Sequence, residues 1–154
     1  MAAKNPGEAF PLVSRKLIDL IECHADELTR LYLDEVKSNP QLSSYRKIDQ
    51  DELYKRAYQV YHHLGKWISK ETTKEEVRAY WWDLGKERRG EGLPLSEIIL
   101  SLCILRALLW KKVEVEGMME TALDLYEAME LNNRVIVFFD RAVYYASCGF
   151  EDKA

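Results

Sequence analysis

The chain has 154 residues, of which 47% are hydrophobic and 31% are charged. This length fits one domain, and this composition excludes an intrinsically disordered chain, which would bury too little apolar surface to fold. The formal net charge of −4 gives no general attraction to nucleic acid or to anionic membranes, so neither is expected as a partner.

Cysteine usage and apolar tracts predict a cytoplasmic protein that does not insert into a membrane. The three cysteines, at positions 23, 103 and 148, lack the paired spacing of a disulfide framework or a thiolate zinc site. The longest apolar tract, 98–110, is interrupted by Ser101 and Arg106 and is too short to span a bilayer. The first residues lack the apolar run of a signal peptide.

The placement of glycine and proline predicts an all-α fold. These residues divide the chain into long segments without internal proline, namely 12–39, 41–64, 66–84, 95–116 and 118–148. Each segment is long enough for a helix of a globular protein. We therefore expect a single-domain bundle of about five to six helices over residues 11–150, preceded by a flexible N-terminus at 1–10.

The first two segments repeat apolar residues at helical spacing. The first, about 11–38, is predicted to be one helix that ends at Asn39-Pro40, since the residue before proline avoids the helical region. Its buried arc is predicted to hold Val13, Leu17, Leu20, Ile21, Leu28, Leu31 and Tyr32. The second helix, about 50–69, is predicted to bury Leu53, Ala57, Val60, Leu64 and Trp67.

The third helix is predicted to begin at a capping box, in which a threonine is followed three residues later by glutamate. Both Thr72/Glu75 and Thr73/Glu76 fit this motif. The inward face of the helix is predicted to hold Val77, Tyr80, Trp81 and Leu84.

The fourth helix, 95–115, is apolar on nearly every side, which is typical of a helix surrounded by others. We predict that it is the central helix of the bundle. The last segment, 118–148, is either one helix kinked at Asn132-Asn133 or two helices. Its first half is predicted to bury Met118, Ala122, Leu125, Tyr126 and Met129. The apolar stretch 135–145 is expected to pack beside the fourth helix or to form a subunit contact.

Arg106 is the first candidate functional residue, because it lies among apolar side chains on the fourth helix. A buried guanidinium needs an anionic partner, and Asp140 is the predicted one, with Asp83 and Glu87 as alternatives. One interpretation is a structural ion pair or an arginine whose head reaches the surface. The other is a ligand pocket in which Arg106 is the polar anchor among Trp81, Trp110, Tyr144 and Tyr145.

Trp82 marks a second candidate surface, on the outward side of the third helix. Arg78 and Lys86, four residues before and after it, can form cation–π contacts with its ring, and Arg89 lies on the same side. Tryptophan and arginine are common at the centres of interfaces. These four residues predict contact with a partner or a second copy. The alternative is that another helix of the same chain covers Trp82.

The remaining motifs give no enzyme signature, and we expect no catalytic residue, metal or cofactor. His62 and His63 are adjacent on a predicted helix and point apart, so they cannot jointly hold one metal. No histidine follows position 63, which argues against a haem globin. The glycine-rich turn 89–94 lacks the preceding strand and the Lys-Ser/Thr ending of a phosphate-binding loop.

Two parts of the sequence resemble a known family. The segment LGKERRGEGLPLSE at 84–97, followed by LRALLW at 105–110, resembles the RsbRD N-terminal domain family, also called the RsbT co-antagonist N-terminal domain. The tail FFDRAVYYASCGFE at 138–151 looks like the end of the same module. The resemblance covers about residues 13–151.

This resemblance implies an all-α input module of bacterial signalling proteins, often placed before a kinase or regulatory domain, that senses or relays and does not catalyse. It implies no catalytic residues and names no ligand. The expected function is a sensor or regulatory domain of bacterial signal transduction, acting as a homodimer or with a kinase or other signalling protein. The alternative is a small-molecule binding module around Arg106. Both a stand-alone regulator and a module of a longer chain fit the sequence.

Overall fold

A computed structural model describes residues 15–69, 72–117 and 119–152 and shows a bundle of α-helices. Over these residues the order is α1 (Arg15–Cys23), α2 (Ala25–Ser38), α3 (Gln50–His62), α4 (Leu64–Ile68), α5 (Lys74–Gly90), α6 (Leu95–Glu116) and α7 (Ala122–Glu151). Two short 3-10 turns, Pro40–Leu42 and Tyr45–Lys47, join α2 to α3. The all-α bundle is confirmed, and the N-terminus predicted to be flexible, 1–10, lies outside the described residues.

Two of the predicted helices are each divided at a histidine, which raises the number of described helices to seven. His24 separates α1 from α2 and His63 separates α3 from α4, each with φ −107° and ψ 21°. No glycine or proline lies near His24, whereas Gly65 lies two residues after His63, inside α4. Leu28 and Tyr32 are buried as predicted, but Leu31, at the edge of the predicted arc, is 43% exposed. Val13 lies outside the described residues.

Helix α6 carries much of the core, as predicted, but the other helices do not enclose it. It packs against α1, α2, α7 and the first 3-10 turn. Leu102 and Leu105 are buried and Leu109 is fully buried, whereas Cys103 and Lys111 on the opposite side are exposed. The many apolar residues of α6 therefore exceed what the surrounding helices cover.

The closest approach of two helices is between α5 and α7, where the backbones meet directly. A Cβ atom added to Gly85 would lie 2.0 Å from the carbonyl oxygen of Ala146. A Cβ atom added to Gly149 would lie 2.0 Å from the carbonyl oxygen of Trp82. Only glycine therefore fits at either position without moving one helix.

Helix α7 is one continuous helix of 30 residues that includes both asparagines. Its buried face holds Ala128, Leu131 and Val135. The face predicted to be buried is exposed: Leu125 is 54% and Met129 is 59% exposed. The prediction was wrong because the first half of α7 has apolar side chains on more than one face, and the bundle covers only one of them. Ala122 and Tyr126 are exposed as well, and Met118 lies outside the described residues.

Of the two predicted capping boxes, the structure forms the second, at the start of α5. The Thr73 hydroxyl accepts a hydrogen bond from the Glu76 backbone N–H at 3.1 Å, and the Glu76 carboxylate accepts one from the Thr73 N–H at 3.0 Å. Both donors would otherwise lack partners at the helix end.

We expect Thr73→Ala to lower the free energy of unfolding by about 1 kcal/mol, the usual effect of losing an N-cap side chain. Urea unfolding followed by circular dichroism measures this change. Glu75→Ala is the matched control, because Glu75 is in the same turn but outside the box. Equal losses in the two variants would contradict the assignment of the cap.

Candidate functional site

Arg106 and Asp140 face one another across α6 and α7, as predicted, but the pair is not buried. Their charged groups are 3.9 Å apart, and the side chains are 42% and 69% exposed. Exposed pairs of this kind contribute about 0–1 kcal/mol to stability. The burial expected for Arg106 was wrong because it lies at the edge of the side of α6 that other helices leave open.

The aromatic pocket predicted around Arg106 is not assembled. Arg106 lines an open groove between α6 and α7, together with Ile99, Leu102, Cys103, Phe139, Asp140, Val143, Tyr144 and Ser147. Of the four predicted aromatic residues, Tyr144 alone is in this lining. Trp81 is buried on the other side of Leu102, and Trp110 and Tyr145 pack against the core. Helix α6 therefore separates Trp81 from the groove.

The residues around Trp82 do come together, and they bind the C-terminal end of α7 in the same chain. The indole N–H of Trp82 donates a 3.0 Å hydrogen bond to the carboxylate of Asp152, which also accepts from Lys86 at 3.0 Å. The Arg78 guanidinium lies 5.2 Å from the centre of the Trp82 ring. Arg89 donates a 2.8 Å hydrogen bond to a main-chain carbonyl in the last turn of α7. In the structure, another helix of the same chain, α7, contacts Trp82, which was the second of the two interpretations.

A cavity of about 40 Å³ lies between α2, α3, α5 and α6, next to Trp81. Most of its lining is apolar or aromatic, and the lining comprises Tyr32, Tyr45, Leu53, Arg56, Ala57, Val60, Tyr80, Trp81, Leu84, Arg88, Ile98, Ser101, Leu102 and Leu105. The hydroxyls of Tyr32 and Ser101 form a 2.7 Å hydrogen bond. The sequence singles out only Trp81 among these residues as a ligand contact, because the others come from four helices and one 3-10 turn whose arrangement the sequence does not give.

The Glu91 carboxylate, just after α5, pairs with two arginines of the cavity lining. It accepts hydrogen bonds from Arg56 at 2.8 and 3.2 Å and from Nη1 of Arg88 at 3.3 Å. The Arg88 side chain is 8% exposed, and its other ion pair, with Glu87, is 3.5 Å long. Arg88 is therefore a buried cation whose ion pairs are long.

Loss of solvent raises the pKa of Tyr32, Tyr45 and Tyr80 above that of an exposed tyrosine. A tyrosine is already protonated at neutral pH, so these phenols add no negative charge to the lining. Arg56 and Arg88 are the ionised groups of the lining, and both are paired with carboxylates at its edge, those of Glu52, Glu87 and Glu91.

Helix α7 presents an exposed apolar face to solvent, which we call the outer face. It holds Leu123, Leu125, Tyr126, Met129, Val137 and Tyr144, which are between 47% and 65% exposed. The charges along α7 are unevenly distributed. Residues 122–133 carry three acidic residues and no basic one, whereas residues 134–148 carry two arginines and one aspartate.

The described residues offer no obvious metal centre. They contain no group of three or more His, Cys, Asp or Glu side chains placed to hold a metal ion. The prediction that His62 and His63 point apart was wrong: their ring centres are 4.9 Å apart and the rings meet edge-on, because α3 ends at His62 and the two residues do not share a regular helix. The ring of His62 also lies against Tyr58, and His24 hydrogen-bonds the Leu20 carbonyl at 2.7 Å. All three cysteines are free thiols. None of the described helices combines the length and the apolar character needed to cross a bilayer.

Comparisons with known proteins found no matching family model, no matching curated protein and no matching solved structure. The resemblance of segments 84–97, 105–110 and 138–151 to the RsbRD N-terminal domain family therefore stays a prediction. The chain's own residues carry the evidence for its function.

Proposed function

We propose that this chain is a sensor or regulatory domain of bacterial signal transduction, which acts in the cytoplasm through helix packing and contacts with other protein chains and does not catalyse a reaction. The observation that carries the proposal is the outer face of α7. Its apolar residues are concentrated in the first two turns, at Leu123, Leu125, Tyr126 and Met129, and such a cluster of exposed apolar side chains commonly marks a binding surface. The three free cysteines fit a reducing compartment. The resemblance to a signalling input module points to the same class of function.

The occupant that best fits the outer face is a second copy of the chain. A two-fold dimer brings the same surface of both copies together. If the two α7 helices run antiparallel, the acidic half of one copy, 122–133, lies beside the more basic half of the other, 134–148. Within each copy Asp124 caps α7 and Glu130 pairs with Arg134 at 3.1 Å. A parallel pair would place like charges together. Charge complementarity therefore favours an antiparallel homodimer.

We expect Met129→Glu to dissociate this dimer, because it places a charge in the middle of the apolar face. Sedimentation velocity measures the change, with the wild-type chain as a dimer and the variant as a monomer. Leu31→Glu is the matched control, since Leu31 is an exposed leucine on α2, and it should leave the dimer intact. A monomeric wild-type chain would contradict the dimer and favour a different protein, such as a kinase, as the occupant.

The regulatory role is tested in the organism that encodes the chain. Deletion of the gene should alter a transcriptional response, and the wild-type gene should restore it. A Met129→Glu gene should fail to restore the response, whereas Leu31→Glu should succeed. A deletion strain with unchanged transcription under stress, starvation and growth would contradict a regulatory role.

The alternative function is a small-molecule binding module, and its best candidate site is not the predicted one at Arg106. The groove at Arg106 is open and lacks three of the four predicted aromatic side chains. The cavity beside Trp81 lies between four helices, and its lining combines apolar side chains with polar ones. This cavity is the place where the structure favours a small ligand.

A further inference from the structure

One residue of the cavity lining, Trp81, has a buried hydrogen-bond donor without an acceptor. Trp81 is 1% exposed, and its indole N–H has no hydrogen-bond partner among the described residues. A buried polar group left unpaired costs roughly 1–3 kcal/mol. Such groups are rare in native proteins, because a neighbouring residue or a bound molecule normally pairs with them. The indole N–H therefore calls for an acceptor inside the cavity.

Arg88 supplies further unused donors in the same lining. Its guanidinium has five N–H donors, yet its hydrogen bonds to described residues all come from Nη1, at 3.3 and 3.5 Å. The edge formed by Nε and Nη2 is the one that binds a carboxylate through two parallel hydrogen bonds. Arg88 is 6% exposed, and Glu87 and Glu91 accompany its charge on the Nη1 side, so Nε and Nη2 are the donors left for a further group.

Trp81 and Arg88 belong to one site because of their spacing on α5. They are seven residues apart, which is about two turns, so they lie on the same face of the helix. Both residues line the same cavity, and Nη1 of Arg88 is directed to Glu91 at the end of the helix. Both groups are donors, and a free guanidinium edge binds a carboxylate more strongly than a neutral acceptor, so the group that best completes the site is an acceptor that carries negative charge.

The size and the apolar lining restrict this anion further. A volume of about 40 Å³ has room for roughly three water molecules, which limits a ligand to a few non-hydrogen atoms. Leu53, Ala57, Leu102 and Leu105 give the space an apolar end. A doubly charged inorganic anion would lose its hydration there without compensation. A singly charged carboxylate with a short alkyl tail matches both ends.

We propose that this cavity binds a short-chain monocarboxylate, with its carboxylate on Arg88 and the indole N–H of Trp81 and its tail among the leucines. This inference does not depend on the homodimer proposed above. It assigns the ligand-binding role to Trp81, as the sequence predicted, but with Arg88 in place of Arg106 as the cationic anchor. The Glu91 carboxylate holds Nη1 of Arg88 and leaves the other edge of the guanidinium for the ligand.

The test follows the Trp81 indole N–H by two-dimensional ¹H–¹⁵N NMR of the whole chain, with the signal assigned by its loss in Trp81→Phe. Sodium propionate should shift this signal in a saturable way, with a dissociation constant of about 1 mM, which a ligand of five non-hydrogen atoms can reach. Propionamide, which has the same shape without the charge, and sodium chloride should not shift it.

Two variants separate binding from stability. Arg88→Gln should weaken propionate binding at least about tenfold, because it removes the charge and the paired donors. Arg89→Gln, the matched control, removes the exposed neighbouring arginine and should leave binding unchanged. If Arg88→Gln does not fold, Ala57→Leu fills the apolar end while keeping both donors, and it should abolish binding in a folded protein.

Three results would overturn the proposal. The first is a Trp81 signal that does not respond to propionate, which would leave a cavity that holds water. The second is a shift with chloride or propionamide as large as that with propionate, which would indicate an adventitious ion or polar solute only. The third is an Arg89→Gln variant that weakens binding as much as Arg88→Gln, which would place the anion on the surface.

Discussion

Gly149→Ala is expected to lower the free energy of unfolding by about 3 kcal/mol, near the upper end for an overpacked core. The added methyl group would lie 2.0 Å from the carbonyl oxygen of Trp82 and 2.7 Å from its carbonyl carbon. These are backbone atoms of α5, so they cannot rotate away as a side chain can. The better helix propensity of alanine offsets only about 1 kcal/mol. The two helices must therefore move apart.

Thermal and urea unfolding measure this loss, which corresponds to a decrease in Tm of roughly 6–12 °C for a chain of this size. Gly90→Ala is the matched control, because no atom lies within 4 Å of its added Cβ. It should be neutral or slightly stabilising. If Gly149→Ala were as stable as Gly90→Ala, the backbones of α5 and α7 would not be in contact.

Gly85→Ala should destabilise the fold by a similar amount from the opposite side of the same contact. Its Cβ would lie 2.0 Å from the Ala146 carbonyl oxygen. Because either variant already separates the helices, the double variant should lose less than the sum of the two single losses. This non-additivity distinguishes one shared contact from two unrelated defects.

The sequence predicts helix ends well where chemistry marks them. Helix α6 is predicted at 95–115 and spans Leu95–Glu116, with Pro94 at its N-cap. The start of α5 follows from a capping box that the structure forms. The break at His24 does not follow from the sequence, because no glycine or proline lies near it. Gly65 does lie near the break at His63, but the predicted helix at 50–69 continued through it.

The sequence is a weaker guide to which faces are covered. In the first half of α7, Met129 and Leu131 are both apolar, yet Met129 is exposed and Leu131 is fully buried. Helical spacing shows that they lie on different faces, but only the positions of the other helices decide which face is covered. The same limit explains why Trp81 is predicted beside Arg106, although α6 separates them.

The sequence does contain a signal for Arg88. This residue lies seven positions after Trp81, on the face of α5 that also holds Val77 and Gly85, so its burial follows from the helical period. The adjacent glycine-rich turn at 89–94 obscures this pattern, because it resembles a loop more than the end of a helix. A cation at an inward position of a helix is a better sign of a polar site than Arg106, which is at the edge of its buried face.

Leu109→Ala is the second large effect, with an expected loss of about 3 kcal/mol in the free energy of unfolding. Leu109 is fully buried in the middle of α6, and truncating such a leucine removes apolar contacts and leaves a cavity, at a cost of roughly 2–5 kcal/mol. Val115→Ala is the control on the same helix, because Val115 is 72% exposed and its truncation should cost less than about 0.5 kcal/mol. Urea unfolding measures both losses, provided that the slope of the unfolding free energy against urea concentration is the same as in the wild-type chain. Equal small losses would mean that α6 does not lie in the core, whereas a large loss for Leu109 alone shows that the bundle depends on the buried side of this helix.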